Sequence, residues 1–326
     1  MSNSNEANSS DLSPYQGVTY IDVGAHADGQ RLDNFLSSRL RGVPKSRIYR
    51  LIRKGEIRIN KKRAKPDSRL NDGDIVRVAP IRVAQAATIQ RPSDKLLKLL
   101  QDSVIHECPH FIVIDKPQGL PVHKGSKQDM GLIEALRWQY NQDEAADEVF
   151  LELAHRIDRE TTGCLVIAKT PSFLKYLQNE FRHRRVHKVY HALVHGVWPK
   201  STTVVDAPLL KQDIDGQEKV VTVDADKGKP ALTRFKVLKQ LDKATLIEAK
   251  PESGRTHQIR VHCQYAGHPI VGDNRYTPLN AEAFPKHKRL CLHAAAIEFK
   301  LPETGETFRA TAAIHEGMAR LLEGNG

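Results

Sequence analysis

Cysteine is scarce in this sequence, and its spacing excludes two common kinds of site. The 326 residues include four cysteines, at positions 108, 164, 263 and 291, and none belongs to a C-x-x-C pair. A thiolate zinc site needs close pairs, and a disulfide framework needs a higher density of cysteine. We therefore expect reduced thiols that are mostly buried as small hydrophobic side chains.

Long apolar runs are also missing. No segment approaches the about 18 consecutive apolar residues that a membrane-spanning helix requires. The first Lys or Arg is Arg31, and the segment before it has no apolar stretch, so it does not resemble a secretory signal. We expect a cytoplasmic protein without a membrane partner.

Metal-binding and nucleotide-binding motifs are absent as well. Although the chain has fifteen histidines, His155, His257 and His262 lie in separate segments without H-E-x-x-H or Cys/His spacing. There is no P-loop and no G-x-G-x-x-G after a strand. The sequence therefore implies no metal and no nucleotide cofactor.

Positive charge is abundant and unevenly distributed. The formal net charge is +11, and residues 31–63 contain twelve Lys or Arg against two acids, Asp33 and Glu56. A face that only keeps a protein soluble usually mixes both signs, whereas this one is nearly all positive. The pattern favours an anionic partner, and charge alone does not separate a nucleic acid from a membrane surface.

Hydrophobic spacing predicts a small domain around this charge. It indicates helices over residues 31–40 and 44–54, with Pro44 in the first turn and Gly55 as a left-handed stop. Strands are predicted over 57–60 and 75–78. This helix-helix-hairpin unit resembles the S4-type RNA-binding domain, most clearly over residues 43–55 and 57–60. The predicted RNA-binding residues are Lys45, Arg47, Arg50, Arg53, Lys54, Lys61, Lys62 and Arg63.

The remaining chain is predicted to form one larger domain. We assign a disordered tail to residues 1–17, the S4-like domain to 18–80, a linker and short helix capped by Ser93 to 81–103, and the second domain to 104–322. In the second domain the patterns predict strands over 111–114, 164–168, 189–194 and 245–249, and helices over 131–140 and 171–181.

One polar loop stands out as a candidate for chemistry. Residues 155–163 read His-Arg-Ile-Asp-Arg-Glu-Thr-Thr-Gly and precede the apolar run 164–168. A loop that ends at a buried strand holds its side chains rigidly, and this one places Asp158 between Arg156 and Arg159. Taken alone, the pattern also fits a structural ion-pair loop.

Four segments together resemble the RluA-type pseudouridine synthases. Residues 155–163 are similar to the family's His-Arg-Leu-Asp-Arg-Asp-Thr-Ser-Gly, and residues 254–262, Gly-Arg-Thr-His-Gln-Ile-Arg-Val-His, to its second long motif. Residues 115–123 resemble the family's Asn-Lys-Pro segment, although Asp115 replaces the Asn, and residues 188–190 match its Lys-x-Tyr. All four occur in the family's order.

The resemblance implies a fold and an activity. It implies an α+β chain in which the S4-type domain precedes a catalytic domain with a central mixed, largely antiparallel sheet flanked by helices. The implied reaction converts uridine into pseudouridine in large-subunit ribosomal RNA, either free or in pre-ribosomal particles, and we expect a monomer. Two alternatives remain, namely a synthase that acts on transfer RNA and a non-catalytic protein that assists ribosome assembly.

The resemblance also assigns roles to residues. Asp158 is the implied catalytic carboxylate, Tyr190 the ring against the target base and Arg260 the partner of the carboxylate, with Arg255 as a competitor. Arg156 either fills the space of the extruded base or contacts a phosphate. The basic residues 182–188 are expected to face phosphates. The full set of predicted substrate-binding residues is His155, Arg156, Arg159, Lys188, Arg255, Thr256, His257 and Ile259.

Overall fold

The computed structural model describes most of the chain as two compact units, residues 1–90 and 91–326. The described residues are 17–40, 43, 45–81, 91–124, 130–142, 149–212, 220–277, 287 and 289–323, without the side chains of residues 26, 45 and 46. The predicted tail, apart from Gly17, and most of the predicted linker therefore lie outside the described residues.

The first unit packs two helices on one face of a four-stranded sheet. Its strand order is β1-β4-β2-β3, and Phe35, Ile48 and Val76 are fully buried between the helices and the sheet. Gly55 has φ +74°, as expected for a left-handed stop after the second helix; the predicted start of that helix at Pro44 lies outside the described residues. The elements are β1 (Thr19–Asp22), α1 (Leu32–Arg39), α2 (Lys45–Lys54), β2 (Ile57–Ile59), β3 (Lys62–Arg63) and β4 (Ile75–Val78).

The second unit is built on a large sheet with helices around it. Ser93 accepts a hydrogen bond from the backbone N–H of Leu96 at 3.3 Å, which confirms the predicted helix cap. The elements are α3 (Asp94–Asp102), β5 (Val104–Glu107), β6 (Phe111–Lys116), α4 (Leu132–Tyr140), β7 (Glu152–Leu153), β8 (Thr162–Ala168), α5 (Pro171–Arg182), β9 (His187–His195), β10 (Val204–Asp206), β11 (Leu209–Gln212), β12 (Val220–Val223), β13 (Leu232–Gln240), β14 (Ala244–Pro251), α6 (Gln258–Tyr265), β15 (Leu292–Lys300), β16 (Thr307–Thr311) and α7 (Glu316–Leu322).

The sheet of the second unit is mixed but largely antiparallel, which confirms the expected fold class. Its order is β10-β13-β14-β9-β15-β8-β6-β5, with β16 beside β15 and β7 beside β8. Every described pair is antiparallel except β8 with β15. All seven residues of β8 are buried, so this strand is covered on both faces and lies at the centre of the unit.

A glycine permits the parallel contact between β8 and β15. Gly163 has φ +101°, and a Cβ at this position would lie 2.3 Å from the carbonyl oxygen of Ala294. Only glycine combines this backbone conformation with so close an approach. The polar loop that contains Asp158 ends at this point, so the glycine fixes where the loop leaves the sheet.

Candidate active site

The candidate site is a cavity of about 480 Å³ in the second unit. Its walls come from the loop before β8, from the first half of β9 and from the segment that joins β14 to α6. Of the predicted catalytic and substrate-binding residues, all but Arg159 line it. The lining residues from those sets are His155, Arg156, Asp158, Lys188, Tyr190, Arg255, Thr256, His257, Ile259 and Arg260.

A buried lysine, Lys116, fixes the backbone of the loop that contains Asp158. The Lys116 ammonium donates hydrogen bonds to the carbonyl oxygens of Arg159 at 2.8 Å, Leu120 at 3.0 Å and Pro117 at 2.8 Å. Burial lowers the pKa of Lys116 to about 7, whereas the nearby carboxylates of Glu160 and Asp158 act in the opposite direction. Three carbonyl acceptors match the three donors of an ammonium group, so the contacts join the loop after β6 to the loop that contains Asp158.

Asp158 lies beside a guanidinium that is itself tightly held. One oxygen of Asp158 is 3.5 Å from a terminal nitrogen of Arg260, and the Asp158 side chain is 22% exposed. The Nε and Nη2 atoms of Arg260, which form one edge of its guanidinium, donate to the two carboxylate oxygens of Asp273, each at 2.8 Å. Burial alone would lower the pKa of Arg260, but the hydrogen bonds that it donates to Asp273 and the charges of Asp273 and Asp158 raise it. Arg260 is therefore a fixed cation with one side turned toward Asp158.

A histidine approaches the same carboxylate from another side. The Nε2 atom of His257 is 3.8 Å from Asp158, and its Nδ1 atom is 2.7 Å from the hydroxyl of Tyr276. That hydroxyl accepts a hydrogen bond from the backbone N–H of Val221 at 3.2 Å, so its own proton is available for His257. Burial lowers the pKa of His257, which favours a neutral ring. A neutral ring that accepts at Nδ1 carries its proton on Nε2, toward Asp158.

His257 also has an unusual backbone conformation. It is a non-glycine residue with φ +54° directly before α6. Such a conformation costs about 1–3 kcal/mol and is found where the surrounding structure holds it in place. The hydrogen bond to Tyr276 is one such restraint on the side chain.

Tyr190 provides an aromatic wall for the cavity. It lies on β9, opposite Ala249 of β14, and packs against two hydrophobic clusters of the core. Burial, together with the charge of Asp158, raises the pKa of Tyr190, so its hydroxyl stays protonated. Within the described part of the chain no protein group hydrogen-bonds that hydroxyl, which leaves it available to a bound molecule.

The mouth of the cavity is basic. Arg156 is exposed, and Arg182, Arg184 and Arg255 also contribute to the wall. The backbone N–H of Arg255 donates to Gln258, and its side chain donates to the carbonyl oxygen of Pro230 at 3.3 Å. Of the two arginines predicted as possible partners of the Asp158 carboxylate, Arg260 is the one in contact with it. The arrangement suits a polyanion that delivers one small neutral group into the cavity.

Two of the predicted residues have clear structural contacts. His155 accepts a hydrogen bond from the backbone N–H of Val166 at 3.1 Å, and burial lowers its pKa to about 3, so it lines the cavity as a neutral ring. Arg159 points away from the cavity, because it donates to the carbonyl oxygen of Gly119 at 3.0 Å and lies 3.2 Å from Glu160. Its predicted role in substrate binding finds no support in this arrangement.

Lys188 is a half-buried residue of the cavity wall. Burial lowers its pKa to about 8, and its ammonium donates to the carbonyl oxygen of Ser253 at 3.4 Å. It therefore braces β9 against the segment before α6.

Neither a metal site nor a membrane span is evident in the described ranges. No group of three or more His, Cys, Asp or Glu side chains there is arranged to hold a metal ion. No helix among those residues is both long enough and apolar enough to cross a bilayer.

Comparison with known proteins places this site in a family. Residues 110–265 match the family model described as RNA pseudouridylate synthase, and residues 30–76 match the S4 domain. The chain is 45% identical to the ribosomal large subunit pseudouridine synthase C of Vibrio parahaemolyticus, over 94% of this chain and 96% of that protein. The chain belongs to the RNA pseudouridylate synthase family. Members of this family are isomerases that act on RNA.

Other comparisons agree with this assignment to the RNA pseudouridylate synthases. The protein of the same name from Escherichia coli K12 is 46% identical, over 94% of this chain and 96% of that protein. The solved structure of human RNA pseudouridylate synthase domain containing 4 matches with a TM-score of 0.58 and 26% identity, over 71% of this chain and 95% of that one.

Two residues of the site were not found from the sequence. Asp273 and Tyr276 lie in one turn after Gly272, and they hold Arg260 and His257 respectively. The turn is well fixed, because the backbone N–H groups of Arg275 and Tyr276 both donate to Asp273. The available signal was a single acid, Asp273, which follows the short apolar run 269–271 after one glycine, since an acid next to a buried run usually has a partner.

We predict that the two carboxylates around Arg260 differ sharply in their effect on stability. Asp273→Asn should lower the free energy of unfolding by about 3–5 kcal/mol, because it breaks a fully buried ion pair. Asp158→Asn should change it by less than about 1 kcal/mol, because the contact is longer and partly exposed. Denaturation followed by tryptophan fluorescence measures the second unit alone, since Trp138 and Trp198 both lie there. Equal losses in the two variants would contradict this account of the site.

Proposed function

We propose that this chain converts uridines of large-subunit ribosomal RNA into pseudouridine, with Asp158 as the catalytic carboxylate. The observation that supports the proposal most directly is the position of Asp158, which lies in a cavity of about 480 Å³ next to Arg260 and shares that cavity with Tyr190. The names of the relatives support the choice of substrate, because they are called ribosomal large subunit pseudouridine synthases.

The reaction needs an ionised carboxylate. It breaks the bond between N1 of uracil and C1′ of the ribose, rotates the base and joins C5 to C1′, with no net redox change. The carboxylate either attacks C1′ or removes the proton from C2′ to give a glycal, and both routes require the charged form. Arg260 supplies the opposite charge, and the N–H of a neutral His257 faces the same oxygen.

Tyr190 suits the middle step of the reaction. Once the glycosidic bond is broken, the uracil must stay in the cavity while it turns. An aromatic wall holds a planar ring without fixing its in-plane orientation, because stacking is not directional within the plane. The protonated hydroxyl of Tyr190 can also donate a hydrogen bond to a carbonyl oxygen of the base, or accept one from its N–H, while the base turns.

The target uridine has to leave the stack before it reaches Asp158. Extrusion costs a few kcal/mol, and a planar side chain in the vacated space recovers part of that cost. We assign this role to Arg156, which is exposed at the mouth of the cavity two residues before Asp158. The neighbouring arginines of residues 182–188 and Arg255 then contact phosphates, which position the RNA without reading its sequence.

The S4-type unit supplies affinity in this proposal. Arg50, Arg53 and Lys54 are exposed on α2, and Lys61, Lys62 and Arg63 are exposed at the hairpin. Arg47 is half-buried, and the side chain of Lys45 lies outside the description. We further propose that the enzyme works in the cytoplasm. We also propose that it works as a monomer, since one chain contains both the RNA-binding unit and a complete set of candidate catalytic residues.

Loss of the carboxylate should abolish the reaction and leave binding intact. We expect Asp158→Ala to reduce pseudouridine formation in an unmodified large-subunit ribosomal RNA transcript by at least about 10³-fold. The dissociation constant for the same RNA should change by less than about threefold, because the basic surfaces remain. The assay is tritium release from uridine labelled at C5, with filter binding in parallel. Wild-type activity in Asp158→Ala would refute the assignment, and an inactive wild-type protein that binds the RNA would favour an assembly factor.

Mapping pseudouridines in a deletion strain tests the choice of RNA. We expect the strain to lose pseudouridine at particular sites of large-subunit ribosomal RNA and at none in transfer RNA. Plasmid-borne wild-type protein should restore those sites, and Asp158→Ala should not. Loss confined to transfer RNA would show that the enzyme acts on the alternative substrate.

A further inference from the structure

In the part of the chain that the structure describes, helices cover one face of the first unit's sheet and leave the other face open. Ile57, Val76 and Val78 are buried against α1 and α2. Because side chains alternate along a strand, the residues between these positions point to the opposite face. That opposite face is where Tyr20, Arg58 and Arg77 lie.

Strand pairing aligns four of these outward residues in one row. Tyr20 on β1 is opposite Arg77 on β4, Arg77 is opposite Arg58 on β2, and Arg58 is opposite Arg63 on β3. We call Arg77, Arg58 and Arg63 the arginine row. Arg58 and Arg63 are exposed, Arg77 is half-buried, and Tyr20 at the end of the row is 62% exposed.

Three arginines directly opposite one another repel, and within the described residues no carboxylate pairs with any of them. Each is anchored instead to a backbone carbonyl, namely Arg77 to Glu56 at 3.3 Å, Arg58 to Gly55 at 3.0 Å and Arg63 to Lys54 at 3.3 Å. The acids beside these strands have other positions or partners: Asp22 is opposite Ile75, Asp74 accepts from Asn60 at 2.8 Å, and the carboxylate of Glu56 is 4.0 Å from Lys54. Like charges that face each other across strands destabilise a sheet, so this row favours the binding of an anion.

The second unit shows the ordinary arrangement for comparison. There Arg309 on β16 is opposite Glu298 on β15, and the two side chains are 3.8 Å apart. A cross-strand arginine with an acid opposite it has its charge compensated within the protein. The arginine row lacks this compensation.

We propose that this open face is a second RNA-binding surface, on which the arginine row contacts phosphates of a single-stranded segment and Tyr20 stacks on one of its bases. The anchored guanidinium groups keep further N–H donors for phosphate oxygens, and an exposed aromatic ring beside a cationic groove is typical of single-strand binding. The inference rests on the proposed function, which makes RNA the partner. It adds a surface on the side of the sheet opposite α2, with Arg63 common to both sets.

The salt dependence of binding separates phosphate contacts from stacking. We expect the full chain that carries both Arg58→Gln and Arg77→Gln to bind RNA with a shallower salt dependence. The negative slope of log K for association against log salt should decrease in magnitude by about 1.4–1.8, since each lost phosphate contact removes about 0.7–0.9. Tyr20→Leu should weaken binding by about 5- to 150-fold and leave the slope unchanged. The probe is an unmodified large-subunit ribosomal RNA transcript in filter binding. Arg309→Gln, a strand arginine with a paired charge, is the matched control and should keep the wild-type slope.

Thermal melting of each variant checks its fold, and Tyr20→Leu tests the surface independently of the arginine variant. A wild-type slope in the folded arginine variant would overturn the proposal, as would unchanged affinity in Tyr20→Leu. A surface that binds an acidic protein would give both of these results. Failure of the proposed function is recognised separately, because it would appear as an inactive wild-type protein rather than as normal RNA binding by the variants.

Discussion

The contact between Asp158 and Arg260 is the constraint on which the rest of the second unit depends. In the proposed reaction, a carboxylate that acts in a cavity closed around uracil needs a nearby positive charge, because removal of water disfavours ionisation. Arg260 can supply that charge from a constant position because its Nε and Nη2 atoms both donate to Asp273 at 2.8 Å. The distance from Arg260 to Asp158 is longer, at 3.5 Å, so the Asp158 oxygen is held less tightly than the oxygens of Asp273. Arg260 thus contacts two acids. Asp273 is buried and holds the guanidinium in place, whereas Asp158 is partly exposed and is the acid to which we assign the chemistry.

The fold brings these groups together from distant parts of the chain. Asp158 comes from a loop that Lys116 ties down and that Gly163 connects to β8. Tyr190 comes from β9, near the middle of the sheet, and Arg260 comes from α6. Because each group is attached to a buried element, the cavity needs no large rearrangement to assemble the reacting centre. In the proposed function, the basic mouth and the S4-type unit supply the affinity that a single small cavity cannot provide for a large RNA.

The sequence predicted local elements well and tertiary contacts poorly. The strand over 111–114 and the helix over 171–181 were identified because their apolar periodicity is a local property, and the structure extends both by only one or two residues. Asp158 and Arg260 were singled out through a family resemblance, which gives the order of motifs but not their distances. Asp273 and Tyr276 were missed, because their importance arises only when residues 260 and 273 meet in space. Likewise, nothing in the loop sequence indicated that Arg159 would turn away toward Gly119. The row formed by Tyr20 and three arginines depends on strand register, which hydrophobic alternation alone does not fix.

The most direct test of the account is the single-turnover rate of pseudouridine formation by Arg260→Gln, measured with saturating enzyme on an unmodified large-subunit ribosomal RNA transcript. The glutamine keeps a hydrogen-bonding group near Asp273 but removes the charge beside Asp158. The account predicts a rate lower by at least about 10²-fold, with a dissociation constant for the RNA close to that of the wild type. A wild-type rate in the correctly folded variant would contradict the claim that this cation sustains the catalytic carboxylate.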